Sequence, residues 1–419
     1  MIRFYNGRVL EGTFVTQNEV WVRNDRIAYV GAPTDNLPAF DREINLHGDL
    51  LMPGFKDAHT HSGMTFLRSA ADDLPLQEWL FQQVFPREAK LTPESLAAFA
   101  RVAFLEYIAN GITACFDMYF HTDELARIAQ EWGFRAVICD ALSANNDWDD
   151  IYRSHEKYTA MGPFVGYRMG FHAEYTANAD MLKFVSRAAH ELKAPVFSHN
   201  SETKSEVEGC IERHGLTPTR LFDELGLFDF GGGGFHCVWM TDEDIDIFAR
   251  HGLYAVLNPC SNAKLASGFA PLTQYLNRGV NLALGTDGPA SNNALDMFRE
   301  MYLANVMAKL NESEAAAGDP AAILAAAVSG GARAMGLDDC DAICAGKQAD
   351  IIRIDMSRPN MQPLHNTVKN LVYSGNPSNV KMTMIAGKIL YENGEFFIPD
   401  SLKRIYSEAQ KYTDEIVYS

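Results

Sequence analysis

The chain is short of positive charge. Its 36 Lys and Arg stand against 54 Asp and Glu, a formal net charge of −18. Such a chain repels a phosphate backbone, which excludes nucleic acid as an expected partner. No apolar run reaches the roughly 18 residues needed to span a bilayer, and Met1–Gly7 lacks the apolar stretch of a secretory leader. A soluble, cytoplasmic protein without a membrane partner is therefore expected. Cysteine is sparse: seven residues, with Cys340 and Cys344 the nearest pair and no C-x-x-C. That pattern excludes a disulfide frame or a thiolate zinc site and points to reduced thiols. Tandem repeats and low-complexity linkers are missing. So is a G-x-G-x-x-G after the first strand of the central region, which argues against an open dinucleotide-binding sheet.

What is present fits a larger architecture. A single barrel takes about 250 residues, and 419 residues, 47% of them hydrophobic, leave room for one small further unit. Both chain ends read as short strands. At the start these are Ile2–Leu10, Glu19–Arg23 and Arg26–Gly31; at the end, Asp350–Asp355, Asn370–Tyr373, Val380–Ala386 and Lys388–Tyr391. The middle alternates eight candidate strands with amphipathic segments: Leu51–His61, Ile112–Met118, Phe134–Leu142, Val165–His172, Pro195–Asn200, Gly233–Trp239, Leu253–Asn258 and Val280–Asp287. Helix starts are signalled by Thr92-Pro93-Glu94 and by the acids of Thr241-Asp242-Glu243-Asp244. The pattern predicts an α/β protein. A (β/α)8 TIM barrel over 53–344 is joined to a small β-sandwich built from 1–52 plus 345–419.

The strongest local signal is Asp57-Ala58-His59-Thr60-His61. Residues i and i+2 of a strand share a side, and at the C-terminal end of a barrel strand that side faces the active-site mouth. Three further residues fall at the ends of candidate strands: His199, His236 and Asp287. Singly, either histidine reads as a core residue and Asp287 as a helix cap. Together, imidazoles and a carboxylate converging on one barrel face suit Zn²⁺, with Fe²⁺ as the second choice. Glu202, three residues beyond His199, is a solvated loop acid if taken alone and a proton shuttle if it sits beside a metal.

These motifs resemble the amidohydrolase superfamily in its deaminase branch, and within it the 5′-methylthioadenosine/S-adenosylhomocysteine deaminases. The segments that carry the resemblance are Met52–His61, Ala71–Leu80, His199–Glu202, Asn258–Leu265, Gly285–Asn293 and Gly346–Asp350. The resemblance runs from about Met1 to Glu395. It implies one metal per subunit held by His59, His61, His199 and Asp287. It makes Glu202 and His236 the acid/base and polarising residues. It also implies contacts to a nucleoside from Glu88, through ribose hydroxyls, from His172, and from Trp79 near the base or 5′ group. A homo-oligomer is implied as well. The fourth strand offers no lysine to bridge two metals, so a mononuclear site is expected. The sequence departs from the family at Asp140, where homocysteine-handling members carry arginine, and at His172-Ala173-Glu174-Tyr175, where the family has His-x-Pro-Tyr. A carboxylate at Asp140 repels another and lacks arginine's fork. The expected substrate is thus a 5′-modified adenosine such as 5′-methylthioadenosine, 5′-deoxyadenosine or adenosine, ahead of S-adenosylhomocysteine.

Hydrolytic deamination needs a water nucleophile, a proton for the ring nitrogen and a proton for the departing ammonia. Asp287 is expected to take the water proton, Glu202 to protonate the ring and relay to the amine, and His236 to hold and polarise the attacking oxygen. The His172-Ala173-Glu174 match to the H-x-E of cytidine-type zinc deaminases fails for want of a partner. Pro259-Cys260-Ser261-Asn262 is followed by Ala263, not cysteine. Two alternatives stay open: action on another amino-heterocycle (guanine, cytosine, pterin or triazine), or a non-catalytic metal-binding scaffold.

Overall fold

The computed structural model describes every residue except Asn36, Ala71 and Ser419. Ala71, the first residue of the Ala71–Leu80 motif, thus lies outside the described residues. The middle of the chain is a parallel barrel. Its strands are β1 (Phe55–Thr60), β2 (Ile112–Tyr119), β3 (Arg135–Asp140), β4 (Met169–Ala173, with Val165–Tyr167 leading into it), β5 (Val196–Asn200), β6 (Gly232–His236), β7 (Tyr254–Leu257) and β8 (Asn281–Leu284). Neighbouring strands pair in parallel in sequence order. The ring closes where the Asp287 amide donates to the His59 carbonyl at 2.9 Å. Helices begin where their caps lie. Thr92 accepts from the Ser95 amide at the head of Pro93–Ala109, and Thr241 accepts from the Asp244 amide at the head of Asp242–His251.

The chain ends build two sheets that share one apolar core. A four-stranded sheet holds Ile2–Tyr5, Glu19–Arg23, Arg26–Gly31 and Arg42–Asn45. A seven-stranded sheet combines Arg8–Glu11, Phe14–Thr16 and Leu50–Pro53 from the N-terminal side with Ile351–Ile354, Val380–Ile385, Lys388–Glu392 and Glu395–Phe396. Phe4, Val20 and Ile44 of the first meet Val9, Leu51, Ile351 and Met384 of the second, which is sandwich packing. We propose 1–52 plus 345–419 and 53–344 as the division between the two units. The last helix, Leu402–Val417, lies against Pro93–Ala109, with Tyr412 edge-on to Phe99.

Several elements differ from the sequence reading. Leu51–His61 is two strands, one in each unit, because the chain turns at Gly54. A Cβ there would fall 2.2 Å from Thr113 Cγ2, so only glycine lets the backbone pass from sandwich to barrel. Ile2–Leu10 is broken at Asn6, which has φ 58°. Asn370–Tyr373 belongs to a helix, Thr367–Tyr373, that Asn366 caps by accepting from the Lys369 amide. A cap and a short apolar run together favour a helical turn over an edge strand.

Candidate active site

Strand ends set the site. His59 and His61 project from the end of β1, His199 from β5 and His236 from β6; Asp287 follows β8 by three residues. All five are buried. One ligand atom each from His59, His199 and His236 lies within 4.8 Å of the others, and the same holds for His59, His61 and Asp287. His61 Nε2 is 3.2 Å from Asp287 Oδ1 and His59 Nε2 is 3.7 Å from it. His236 Nε2 is 3.7 Å from Glu202 Oε2 and 3.9 Å from Asp287 Oδ2.

The ring orientations are fixed from behind. His61 Nδ1 donates to the Met118 carbonyl at 2.6 Å, His199 Nδ1 to the His172 carbonyl at 2.7 Å, and His236 Nδ1 to Asn262 Oδ1 at 2.7 Å. The acceptor in each case assigns the ring proton to Nδ1 and turns the Nε2 lone pair inward. His59 stacks on Phe235 at 3.8 Å, and among the described residues neither of its nitrogens has a hydrogen-bond partner. A buried imidazole with two bare nitrogens is costly unless something binds it. Four imidazoles and one carboxylate, nitrogen and oxygen donors only, are the donor set that fits a zinc ion.

Asp287 is held from three directions. Its Oδ2 accepts from Ser261 Oγ at 2.5 Å and Ser291 Oγ at 2.9 Å, and its Oδ1 accepts from the Gly288 amide at 2.7 Å. Burial pushes its carboxyl up, but hydrogen bonding to His61 and the neighbouring imidazoles hold it well below the usual carboxylate range. Glu202 goes the other way. Burial first, and the Asp287 charge second, push it up to about 8. Two carboxyl groups with divergent proton affinities in one pocket are an acid/base arrangement. Glu206 supports the Glu202 loop by accepting the Ser201 amide at 3.0 Å and the Glu202 amide at 2.7 Å.

Backbone strain gathers at the same place. Ser201, His236, Cys237 and Asp287 have φ of 53°, 70°, 50° and 59°. Left-handed non-glycine residues cost about 1–3 kcal/mol each and persist where surrounding structure enforces them, as at functional sites.

The cluster floors a cleft of about 50 Å³ whose walls include Trp79, Glu88, Tyr119, Phe120, Ala141 and His172. Glu88 Oε1 accepts from Tyr119 Oη at 2.6 Å. Trp79, Glu88 and His172, three of the four expected substrate contacts, thus share the cleft with the cluster. Asp140 does not line it. Its Oδ2 accepts from Tyr167 Oη at 2.6 Å and its Oδ1 from Ser154 Oγ at 3.0 Å, and it borders a neighbouring cavity. Glu174 points away from the cleft, where Arg213 Nε donates to it at 3.1 Å and His214 Nε2 lies at 3.1 Å. The H-x-E pair therefore does not act as a unit. Asn262, Ser261 and Ser291 entered the sequence reading only as parts of motifs. Their roles behind His236 and Asp287 come from contacts 26 and 4 residues apart along the chain.

A barrel of this topology with a histidine and aspartate cluster at the strand ends defines a class of metal-dependent hydrolases. Residues 50–390 match the Amidohydrolase family, and the chain belongs to that family. Over 409 residues it is 37% identical to a 5-methylthioadenosine/S-adenosylhomocysteine deaminase of Thermoanaerobacter pseudethanolicus, covering 95% of this chain and 94% of that protein. It is 35% identical over 403 residues to a 5′-deoxyadenosine deaminase of Methanopyrus kandleri, covering 94% and 93%. The crystal structure of an adenosine deaminase from Xanthomonas campestris with bound zinc superposes with a TM-score of 0.94 at 34% identity, covering 100% of this chain and 99% of that one.

Proposed function

We propose that this chain is a zinc-dependent hydrolytic deaminase of an adenosine-type nucleoside, releasing ammonia. The observation that carries the reading is the meeting of His59, His61, His199 and Asp287 with Glu202 and His236 at one barrel mouth. The deaminase relatives, and the zinc in a structure superposing across the whole chain, support it.

His59, His61, His199 and Asp287 would hold the metal. Zinc supplies Lewis acidity that makes water a nucleophile near neutral pH. His236 offers its Nε2 lone pair to that water and orients it toward the ring carbon bearing the amino group. Asp287, a carboxylate before the step, takes the proton the water gives up and passes it on for the departing amine. Glu202, whose carboxyl burial and the Asp287 charge push up, donates its proton to the ring nitrogen and relays to the departing amine the proton that Asp287 has taken. Glu88 accepts from ribose hydroxyls. Trp79 and His172 bound the purine and sugar.

The substrate reading is a 5′-modified adenosine, with S-adenosylhomocysteine behind it because a carboxylate, Asp140, stands where homocysteine-handling members carry arginine. We read the setting as a cytoplasmic homo-oligomer without nucleic-acid or membrane partners, resting on the net charge of −18 and on the family likeness. Among the described residues no helix is long and apolar enough to cross a membrane.

The test is ammonia release from adenosine, 5′-deoxyadenosine and 5′-methylthioadenosine, set against guanine and cytosine, with zinc measured in the purified protein. Turnover confined to the adenosines is expected. Turnover of guanine or cytosine alone would move the chain to another branch of the family. Neither turnover nor metal would make it a scaffold.

A further inference from the structure

One buried acid near the barrel mouth takes no part in the chemistry above. Glu300 lies in the first turn of the helix Met297–Glu312, whose head Asp296 caps by accepting from the Phe298 amide. Glu300 is fully buried, and among the described residues no lysine or arginine pairs with it. A carboxyl in that position is costly unless its oxygens find donors. Both do. Oε2 accepts from the Cys260 amide at 3.0 Å, and Oε1 accepts from Asn292 Nδ2 at 2.6 Å.

The two residues it holds come from separate segments. Cys260 belongs to the helix Pro259–Lys264 that follows β7, and Asn292 to the loop that follows β8. Each is the immediate neighbour of a serine that touches Asp287. Ser261 follows Cys260, and its Oγ donates to Asp287 Oδ2 at 2.5 Å. Ser291 precedes Asn292, and its Oγ donates to the same oxygen at 2.9 Å. Asn292 Nδ2 also donates to the Thr286 carbonyl at 2.7 Å, one residue before Asp287. With Oδ2 taken by two hydroxyls, Oδ1 is the oxygen turned to His61 and His59, at 3.2 and 3.7 Å. Glu300 therefore joins the two segments whose hydroxyls meet on one carboxylate oxygen. The join needs two acceptor atoms on one side chain. Glutamate has them, and glutamine has one acceptor and a donor that would face an N–H.

We infer that Glu300 is a positioning residue: by fastening Cys260 and Asn292 it sets the Ser261 and Ser291 hydroxyls on Asp287, and so decides which carboxylate oxygen faces the metal position. The inference rests on the reading of Asp287 as a metal ligand. It adds a residue outside every segment that carried the family resemblance.

The experiment measures the zinc dissociation constant by competition with a chelator, beside kcat and KM for ammonia release from 5′-deoxyadenosine. Glu300→Gln, which keeps volume and loses one of the two grips, should weaken zinc binding by about 10–100-fold, with the KM of the zinc-loaded protein little changed. Ser261→Ala/Ser291→Ala should weaken zinc at least as much. Adding Glu300→Gln to that pair should weaken it no further, because the glutamate acts through the hydroxyls already removed. If Glu300→Gln fails to fold, Asn292→Ala severs one arm alone. It should weaken zinc binding in the wild-type background and add nothing to Ser291→Ala. Losses that multiply in these combined variants, or zinc affinity that Glu300→Gln leaves unchanged while the melting temperature falls, would overturn the inference and leave Glu300 a packing residue. Wild-type protein that binds no zinc would overturn the metal reading with it. Wild-type protein that binds zinc but deaminates no adenosine would overturn the proposed reaction and leave this inference standing on the zinc measurements.

Discussion

At the lower end of the barrel, Arg135 and Asp350 are as deeply buried as His59 and Asp287 at the upper end, yet the two pairs live under different rules. Arg135 opens β3. Its Nε and Nη2 fork onto Asp350 at 2.7 and 3.0 Å, while Nη1 and Nη2 reach the Pro163 carbonyl and Gln348. Asp350 also accepts from the Ala386 amide. Nearby, Lys56 donates to the Gly54 carbonyl and Thr113 Oγ1. Each described charge there has its partners inside the protein, and the ion pair joins β3 to the strand Ile351–Ile354 through its neighbour Asp350. At the upper end, donors converge on a shared point, the His59 nitrogens have no hydrogen-bond partner among the described residues, and the backbone is held left-handed at four residues of the site. One end uses buried charge to fix two units together. The other leaves the His59 nitrogens without a hydrogen-bond partner among the described residues, available to a ligand.

The largest effect that could break this contrast comes from Asp287→Ala. Losing the carboxylate should strip zinc and abolish ammonia release, as chelation of the wild type should. An Asp287→Ala protein that kept zinc and turnover would end the metal assignment. Next in size is Glu202→Gln. It keeps shape and burial but cannot cycle a proton, so kcat should fall by about 10²–10⁴-fold, with zinc content unchanged by elemental analysis. Retained turnover would remove Glu202 from the role proposed for it.

The lower end gives the converse result. Arg135→Met leaves Asp350 buried without its cation, which should cost about 3–5 kcal/mol of stability, read by denaturant unfolding. The kcat per zinc-loaded molecule should stay at the wild-type value, because this pair lies at the opposite end of the strands from the cluster. A fall in kcat at constant zinc loading would show that the two ends are not separable in this way.

How much of this was legible in the sequence follows from the range of each interaction. The His59 and His61 pair could be read because a strand's period of two is local. The eight strands could be read because short apolar runs alternate with amphipathic segments along the middle of the chain. Asn370–Tyr373 was misread because four residues do not distinguish strand from helix. The deciding contact, Asn366 to the Lys369 amide, begins four residues upstream of that run. The turn at Gly54 was hidden because its cause is Thr113, a residue on the next strand. Asp140 was identified as a position of consequence, but only the fold puts it behind Tyr119 and Ala141 rather than in the cleft itself.

Asn262 sharpens the comparison most finely, because it is a side chain, not a backbone carbonyl, that accepts from the Nδ1 of a cluster histidine. His61 and His199 are oriented by backbone carbonyls, which no substitution removes. His236 depends on Asn262 Oδ1 at 2.7 Å, so its tautomer can be tested directly. Asn262→Leu preserves volume but removes the acceptor. The ring proton can then move to Nε2, where it would meet the attacking water instead of the lone pair. Partners of this kind typically account for 10–100-fold, so kcat should fall by about that factor with KM and zinc content little changed. Asn262→Asp still accepts from Nδ1 and should recover most of the loss. If Asn262 merely packed the helix Pro259–Lys264, both variants would lower the melting temperature without separating kcat from KM. Equal impairment in the aspartate and leucine variants would then leave His236 oriented by something other than this hydrogen bond.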